Sequence, residues 1–482
     1  MVVNSINFLI FFVVVFLVYY SVLNRNRKAQ NAWLLLTSYF FYGFAEWRMI
    51  PLLMVATLVF YFIGQAIPRV QNKKVSSALS TLGVLLGVGL LLYFKYLNFF
   101  IQSFSDFFNA IGLQTHPTLF NIMMPLGISF FTFKLISYII EITRGNIEPS
   151  KNLVDFALYI SFFPTILSGP IDRPKPFLAQ LSKSRILDYE LASIGLKRIF
   201  WGMFMKMCVA DRLSIYVDAI FDNSIHHNGT SLAFASLLYP IQMYADFAGY
   251  SEMAIGVGML LGIKITENFK RPFFSQNIAE YWRKWHISLT GWLTDYVFMP
   301  LNIRFRNIEK WGSIFAIIIT FVLIGLWHGA AWTFALFGLY HGLLYIPLML
   351  SGAFFKKNKV KRTPSGLPLP GTVAKMAGTF ILVAFGLILF RSSSVTEAGL
   401  IMKKIATEWG SLFIDPKTLI NGILCMLILL AKDFKDEFLF DKVNLSKNIF
   451  GNYKFEITVA VYVVLILFFG VLDGNQFIYF KF

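Results

Sequence analysis

Charge is scarce in this chain. Only 14% of its 482 residues are Asp, Glu, Lys or Arg, where soluble domains carry about 25%. That shortfall excludes an ordinary water-soluble globule, and a 57% hydrophobic composition with a mean hydropathy of +0.63 points the same way. Cysteine is nearly absent as well: Cys208 and Cys425 lie far apart inside apolar segments, so they build neither a disulfide framework nor a CxxC motif and say nothing of redox compartment. The chain has no GxSxG, no HExxH and no Walker A sequence, which removes motif support for a serine hydrolase, a zinc protease or a P-loop enzyme. No basic region precedes the first apolar run, 6–20, and no small-residue cleavage site accompanies it. The expectation is therefore a retained first span rather than a removed signal.

What is present is apolar sequence in long pieces, with 53 phenylalanines, much of it reaching the ~17–25 residues that cross a bilayer. The net charge of +17 would suggest nucleic acid in a soluble protein, but here Lys and Arg sit mostly in short loops between apolar segments, as topology determinants do. Basic clusters at 24–28, 69–74 and 356–362 are assigned to the cytoplasm, with the N-terminus outside. Segments 32–44 and 51–67 form a hairpin, and 77–100 crosses with Gly83, Gly87 and Gly89 allowing close helix contact. Pro, Gly, Ser and Thr within 125–133 fit either a broken, cavity-lining helix or a kinked span. A large loop up to 198 is placed in the cytoplasm, followed by apolar segments 200–209 and 213–221. Segment 231–261 is interrupted by Gln242, Asp246 and Glu252. Its carboxylates are either fasteners paired with Lys or Arg, the preferred reading, or the lining of a substrate route. Later, 376–389 crosses outward, 396–409 reads as an amphipathic surface helix, 419–431 crosses back, 432–454 is a charged cytoplasmic loop and 457–472 crosses out. The sum is about ten to twelve membrane segments with no soluble domain or repeat. His116 reads as a loop residue, and the pair His226-His227 has too few companions to indicate a metal site.

The chain is organised around 268–342, above all Trp327-His328-Gly329-Ala330-Ala331-Trp332. His328 ends an apolar segment, 313–327, that has no acid or base of its own, and an ionisable side chain at membrane depth usually faces a cavity or pathway. Counting back from the basic loop at 356–362, segment 336–350 runs into the cytoplasm and the turn 329–331 points outward. That places His328 in the outer half of the membrane or deep in a funnel open to it. Small neighbours (Gly325, Gly329, Ala330, Ala331) would let a substrate approach the imidazole, whose ordinary pKa of ~6.5 suits it to take a proton from a hydroxyl. A satisfied, purely structural histidine is the competing reading. His286 has the opposite setting, Tyr281-Trp282-Arg283-Lys284-Trp285-His286, and the expectation is that the two histidines stand on either side of a passage. Trp282, Trp285, Leu289 and Trp292 follow helical spacing, and Arg283, His286 and Thr290 fall together on another face, which describes an interfacial or re-entrant amphipathic helix. Arg271, Arg283 and Lys284 could meet a phosphate on a carrier or anchor the helix at lipid headgroups.

The stretches 125–133, 167–174, 242–251, 268–273, 281–300 and 325–342 resemble the membrane-bound O-acyltransferase family, in its bacterial alginate O-acetyltransferase-like branch; Trp285-His286 and Trp327-His328-Gly329-Ala330 are the most specific parts. The resemblance implies an all-α polytopic membrane fold with re-entrant or interfacial helices around a central tunnel. It implies one membrane domain over 1–482, with a catalytic core at 120–345 and peripheral helices at 1–119 and 370–482. It makes His328 the essential histidine and His286 the second, cytoplasm-facing motif residue. Trp285, Trp327, Arg283, Lys284, Asp246, Asp295, Tyr296 and His341 become residues of the tunnel or donor site. No metal and no tightly bound cofactor are implied. An acyl group, typically acetyl, would come from a cytoplasmic thioester (acetyl-CoA or an acyl carrier) and pass to a hydroxyl on the outer side. The setting implied is the bacterial cytoplasmic membrane, among lipids, beside a periplasmic acetyltransferase-like or esterase-like partner and polysaccharide export machinery. Lys134 stands where glutamine is expected, and Pro300-Leu301-Asn302-Ile303 where Pro-Leu-Gly-Gly is commoner. Two readings of other classes remain: a polysaccharide or proton-coupled transporter, which predicts inverted repeats that the chain does not show, and a non-catalytic scaffold of an export complex, indifferent to loss of His328.

Overall fold

The computed structural model describes residues 3–355, 360–364, 366–439 and 454–472. Among these residues all regular structure is helical, apart from one isolated backbone pairing of Arg362 with Pro368. Five stretches are long and apolar enough to cross a membrane: Arg27–Arg69, Lys73–Ala110, Arg306–His328, Trp332–Leu350 and Pro370–Arg391. Two shorter apolar stretches, Ile6–Val22 and Phe455–Phe469, accompany them. The chain is an all-α, multi-pass membrane protein. Of the expected basic loop at 356–362, residues 356–359 lie outside the described residues, and so do 440–453 of the charged loop expected at 432–454.

The chain divides into two compact units, the first made of Met1–Gly195 with Ala254–Thr266 and the second of Leu196–Met253 with Glu267–Phe482. The first unit begins with α1 (Ile6–Leu17), α2 (Arg27–Glu46) and α3 (Ile50–Ala66). Asn26 caps α2 by accepting from the Ala29 amide at 3.1 Å, and the α2–α3 hairpin turns at Trp47–Met49. Next come α4 (Lys73–Leu91), α5 (Leu97–Ala110), α6 (Ile128–Thr143) and α7 (Leu153–Ser161). Gly127, at φ +70°, is the residue before α6, so Pro125 and Gly127 start a helix rather than break one. The α4–α6 contact runs through Gly83 and Gly87, whose lack of side chains lets Ile136 and Ile139 lie against the α4 backbone. Lys134, fully buried on α6, donates to the Tyr159 carbonyl at 3.2 Å and to Thr165 Oγ1 at 2.9 Å.

The helix α8 (Tyr189–Phe204) leads through a wider π-type turn, Met205–Ala210, into α9 (Asp211–Phe221). The long α10 (Gly229–Leu260) carries Gln242, Asp246 and Glu252. Both of its carboxylates form ion pairs. Lys206 Nζ lies 2.6 Å from Asp246 and 2.8 Å from Asp211, all three buried. The Arg198 guanidinium forks onto Glu252 at 2.6 and 2.9 Å and onto Glu267 at 2.6 and 2.7 Å. Two short helices, α11 (Ile278–Lys284) and α12 (Ile287–Leu293), precede the hairpin of α13 (Glu309–His328) and α14 (Trp332–Leu343). That hairpin is unusually close: a Cβ on Gly325 would collide with the Phe334 carbonyl oxygen, and one on Gly338 with that of Phe321. The unit continues with α15 (Pro370–Arg391), α16 (Val395–Thr407), α17 (Pro416–Phe434) and α18 (Lys454–Phe469). From α16, Lys404 reaches the carbonyls of Ser224 (3.2 Å), Ile225 (2.5 Å) and His227 (2.9 Å), tying down the loop that holds the His226-His227 pair. Among the described residues no group of three or more His, Cys, Asp or Glu could hold a metal ion.

Candidate active site

His328 is the last residue of α13, 3% exposed, and the chain leaves it in extended conformation at Gly329. Its ring centroid lies 5.1 Å from Phe390 of α15, 5.1 Å from Trp327 and 6.4 Å from Phe337 of α14. The ring of His286 is 6.2 Å away. The two histidines expected on opposite sides of a passage are therefore neighbours in one aromatic cluster. Around His286 stand Phe247 at 4.6 Å, Trp327 at 5.4 Å and Phe269 at 6.4 Å.

The local chain at His286 departs from the single amphipathic helix that the spacing suggests. It is two helices, α11 and α12, broken at Trp285 and His286, with His286 in the left-handed region at φ +46°. Trp282, Trp285, Leu289 and Trp292 are all buried, so this face is core and not a membrane interface. Arg283 is exposed and His286 has no exposure, so they do not share a face. A left-handed non-glycine residue costs about 1–3 kcal/mol and persists only where its surroundings hold it. The holding residue is Asn268. Its main chain accepts from the Ile287 amide at 2.8 Å, and the amide of Lys270 donates to the Lys284 carbonyl at 2.9 Å, pairing the two segments.

Asn268 also decides which nitrogen of His286 carries the proton. Its Oδ1 accepts from the Ser288 amide at 3.2 Å and from Ser288 Oγ at 2.9 Å, while its Nδ2 donates to Ser251 Oγ at 3.3 Å. A backbone N–H can only donate, so the atom facing it is the oxygen. His286 Nδ1, 3.2 Å from that same oxygen, must then be the protonated nitrogen, leaving the lone pair on Nε2. His286 lies outside the spanning stretches, and burial holds its imidazole down at about 3 from the usual 6.5. It is a neutral hydrogen-bond acceptor throughout the physiological range.

The other expected residues fall into three places. Trp327 belongs to the cluster itself, and Trp285 stacks on Tyr281 at 5.5 Å behind it. His341 is buried one ring further out: its Nδ1 accepts from Trp282 Nε1 at 3.3 Å, and Phe337 lies 4.6 Å from it, between it and His328. Lys284 and Arg271 are joined by Glu437, at 3.0 and 2.8 Å, and Lys284 also pairs with Glu280 at 3.1 Å. Glu437 is raised by burial, but Arg271 and Lys284 outweigh that and hold it below the usual carboxylate range. These two cations are paired with protein carboxylates. Arg283 donates to the Phe354 carbonyl at 2.8 Å and covers the Phe354 ring. Asp295 is exposed and Tyr296 packs on Trp292 at 4.9 Å; the contacts described do not bring either to the histidines. Asp246 belongs to the Lys206 cluster.

A model of the membrane-bound O-acyltransferase family matches residues 147–389, taking in both histidines. A probable alginate O-acetylase, AlgI, of Pseudomonas syringae is 36% identical over 403 residues, covering 83% of this chain and 74% of its own. A peptidoglycan O-acetyltransferase of Helicobacter pylori is 32% identical over 341 residues, 64% of this chain and 62% of its own. A teichoic acid D-alanyltransferase of Bacillus subtilis is 34% identical over 287 residues, 58% of this chain and 71% of its own. The chain belongs to the membrane-bound O-acyltransferase family. It is an O-acyltransferase. For this acyltransferase, sequence reasoning did not bring Asn268, Ser288, Phe247 and Phe390 to the two histidines. Asn268 opens one of the stretches that carry the family resemblance, but nothing in the spacing ties it to His286, because the tie depends on the chain doubling back between them.

Proposed function

We propose that this protein takes an acyl group, acetyl by preference, from a thioester donor on the cytoplasmic side and transfers it to a hydroxyl presented from the outer side of the bacterial cytoplasmic membrane. The acceptor group belongs to the envelope: a periplasmic partner carries the ester onward to a surface polysaccharide or to peptidoglycan. The relatives support this choice, since their names carry alginate, peptidoglycan and teichoic acid. The single observation that carries the mechanism is the shared cluster of two buried histidines with ring centroids 6.2 Å apart.

In the proposed step His328 takes the proton from the acceptor hydroxyl as its oxygen attacks the thioester carbonyl carbon. The C–S bond breaks, and the thiolate leaves with the proton that His328 returns. His286, held as a neutral acceptor by Asn268, receives a hydrogen bond from the donor through Nε2 and places the thioester. Phe247, Phe269, Trp327 and Phe390 keep water from the acyl carbon, so that hydrolysis does not compete. The catalytic core expected at 120–345 is retained in this proposal, with Phe390 added from α15. Replacement of His328 by alanine, at matched membrane levels, tests the reading through the ester content of surface polysaccharide and peptidoglycan. Loss of one ester is the expected result, and an unchanged ester would remove His328 as the base.

A further inference from the structure

Beside the histidine cluster lies a polar cavity that the transfer step does not use. Its volume is about 390 Å³, near the lower end of the ~300–1,000 Å³ typical of ligand clefts. It shares a wall with the site: Phe334 and Phe390 line it, their rings 4.9 Å apart, and Phe390 packs on His328. Ala331, in the turn after His328, and Ser392 and Ser393, just past α15, also line it. By the distribution of basic loops these are outward ends.

The chemistry of the lining is one-sided. It holds two cations and four carboxylates. Each cation already lies between two of those carboxylates: Lys206 at 2.8 Å from Asp211 and 2.6 Å from Asp246, and Arg391 at 2.9 Å from Asp218 and 2.7 Å from Asp222. Two further atoms have no hydrogen-bond partner, Gln242 Oε1 and Asp211 Oδ2, on residues that are each 3% exposed. Both are acceptors. Buried acceptors call for donors, and a net negative lining opposes any group that brings a carboxylate or phosphate.

We propose that this cavity is the antechamber of the acceptor, and that it admits an uncharged hydroxyl compound while rejecting an anionic one. Acceptor O–H groups donate to Gln242 Oε1 and Asp211 Oδ2, and the Phe334–Phe390 pair separates the waiting hydroxyl from His328. A polymer rich in uronate or phosphate is then acylated through a neutral intermediate acceptor and does not enter itself. This inference rests on the transferase reading above, and it goes further by fixing the charge class of the first acceptor.

The test replaces Gln242 with two side chains of opposite meaning, Gln242→Leu and Gln242→Glu, beside His328→Ala, all at matched membrane abundance. The readout is alkali-labile acyl ester in the cell envelope. For an uncharged hydroxyl acceptor, Gln242→Leu removes the oxygen that receives its O–H and lowers ester about tenfold, the scale of one lost hydrogen bond at a buried group. Gln242→Glu keeps an acceptor oxygen and lowers it less. The reverse order, with Gln242→Glu the worse, means an anionic acceptor and overturns the proposal. Equal losses, or wild-type ester in both, overturn it too. Ester retained in His328→Ala would instead strike at the transferase reading. Recovery of the labelled ester on glycan or on protein distinguishes a sugar hydroxyl from a side-chain hydroxyl, and the proposal accommodates both sources.

Discussion

At the scale of single residues, the site depends on how Asn268 holds His286. Asn268→Leu leaves three buried donors, the Ser288 amide, the Ser288 hydroxyl and His286 Nδ1–H, without their acceptor, at about 1–3 kcal/mol each. The expected outcome is a lower melting temperature in detergent together with a fall in transferase activity. An unchanged melting curve would show that Asn268 does not clamp the site. The pH response of His286 has a definite sign. Its folded pKa of about 3 lies below the 6.5 of the free side chain, so below about pH 6.5 the unfolded chain binds a proton that the folded chain does not. The contribution of His286 to stability is complete above about 6.5 and is lost progressively as pH falls toward 3. His286→Gln is therefore expected to lose less stability than wild type between pH 7 and pH 5, measured by melting. For the same reason, an acid limb of the activity profile between pH 5 and 8 belongs to another group and should survive in His286→Gln.

At the scale of helices, two features set the geometry. The close α13–α14 hairpin positions His328, and Gly325 permits it. Gly325→Val forces the helices apart and should cost about 1–3 kcal/mol, as overpacking does, with His328-dependent activity lost in the protein that still reaches the membrane. Normal activity with normal stability would mean that the hairpin tolerates separation. The second feature is the ion cluster Lys206–Asp211–Asp246. Lys206→Met leaves two buried carboxylates uncompensated and should destabilise by about 3–5 kcal/mol, seen as loss of folded protein on extraction.

The elements also show what could be read beforehand. Long apolar runs were legible, because burial in lipid requires sustained hydropathy, and so was the ion pairing of the α10 carboxylates. The start of α6 at Gly127 and the break between α11 and α12 were not. Periodicity over Trp282, Trp285, Leu289 and Trp292 is satisfied by one continuous helix. Only Asn268, arriving from another segment, stabilises the left-handed turn at His286 that divides it. Likewise, spacing alone does not show that Glu437 pairs with both Arg271 and Lys284.

At the scale of the whole molecule, the chain is a multi-pass O-acyltransferase that gathers two histidines, far apart in sequence, inside one buried aromatic cluster. The setting of His328, a lone ionisable residue at the end of an apolar segment and next to small ones, was visible in the sequence. Its nearness to His286 was not, because topology counting assigns sides of a membrane and not depths. The account stands on His328 acting as the base for acyl transfer. Its most direct test compares ester-bound acyl groups on surface polysaccharide and peptidoglycan in wild type, a deletion strain, and His328→Ala at matched membrane levels. The account predicts that deletion and His328→Ala lose the same ester, with the substitution lowering the transfer rate by roughly 10²–10⁴-fold, the usual worth of a general base. Ester lost on deletion but kept in His328→Ala would contradict it.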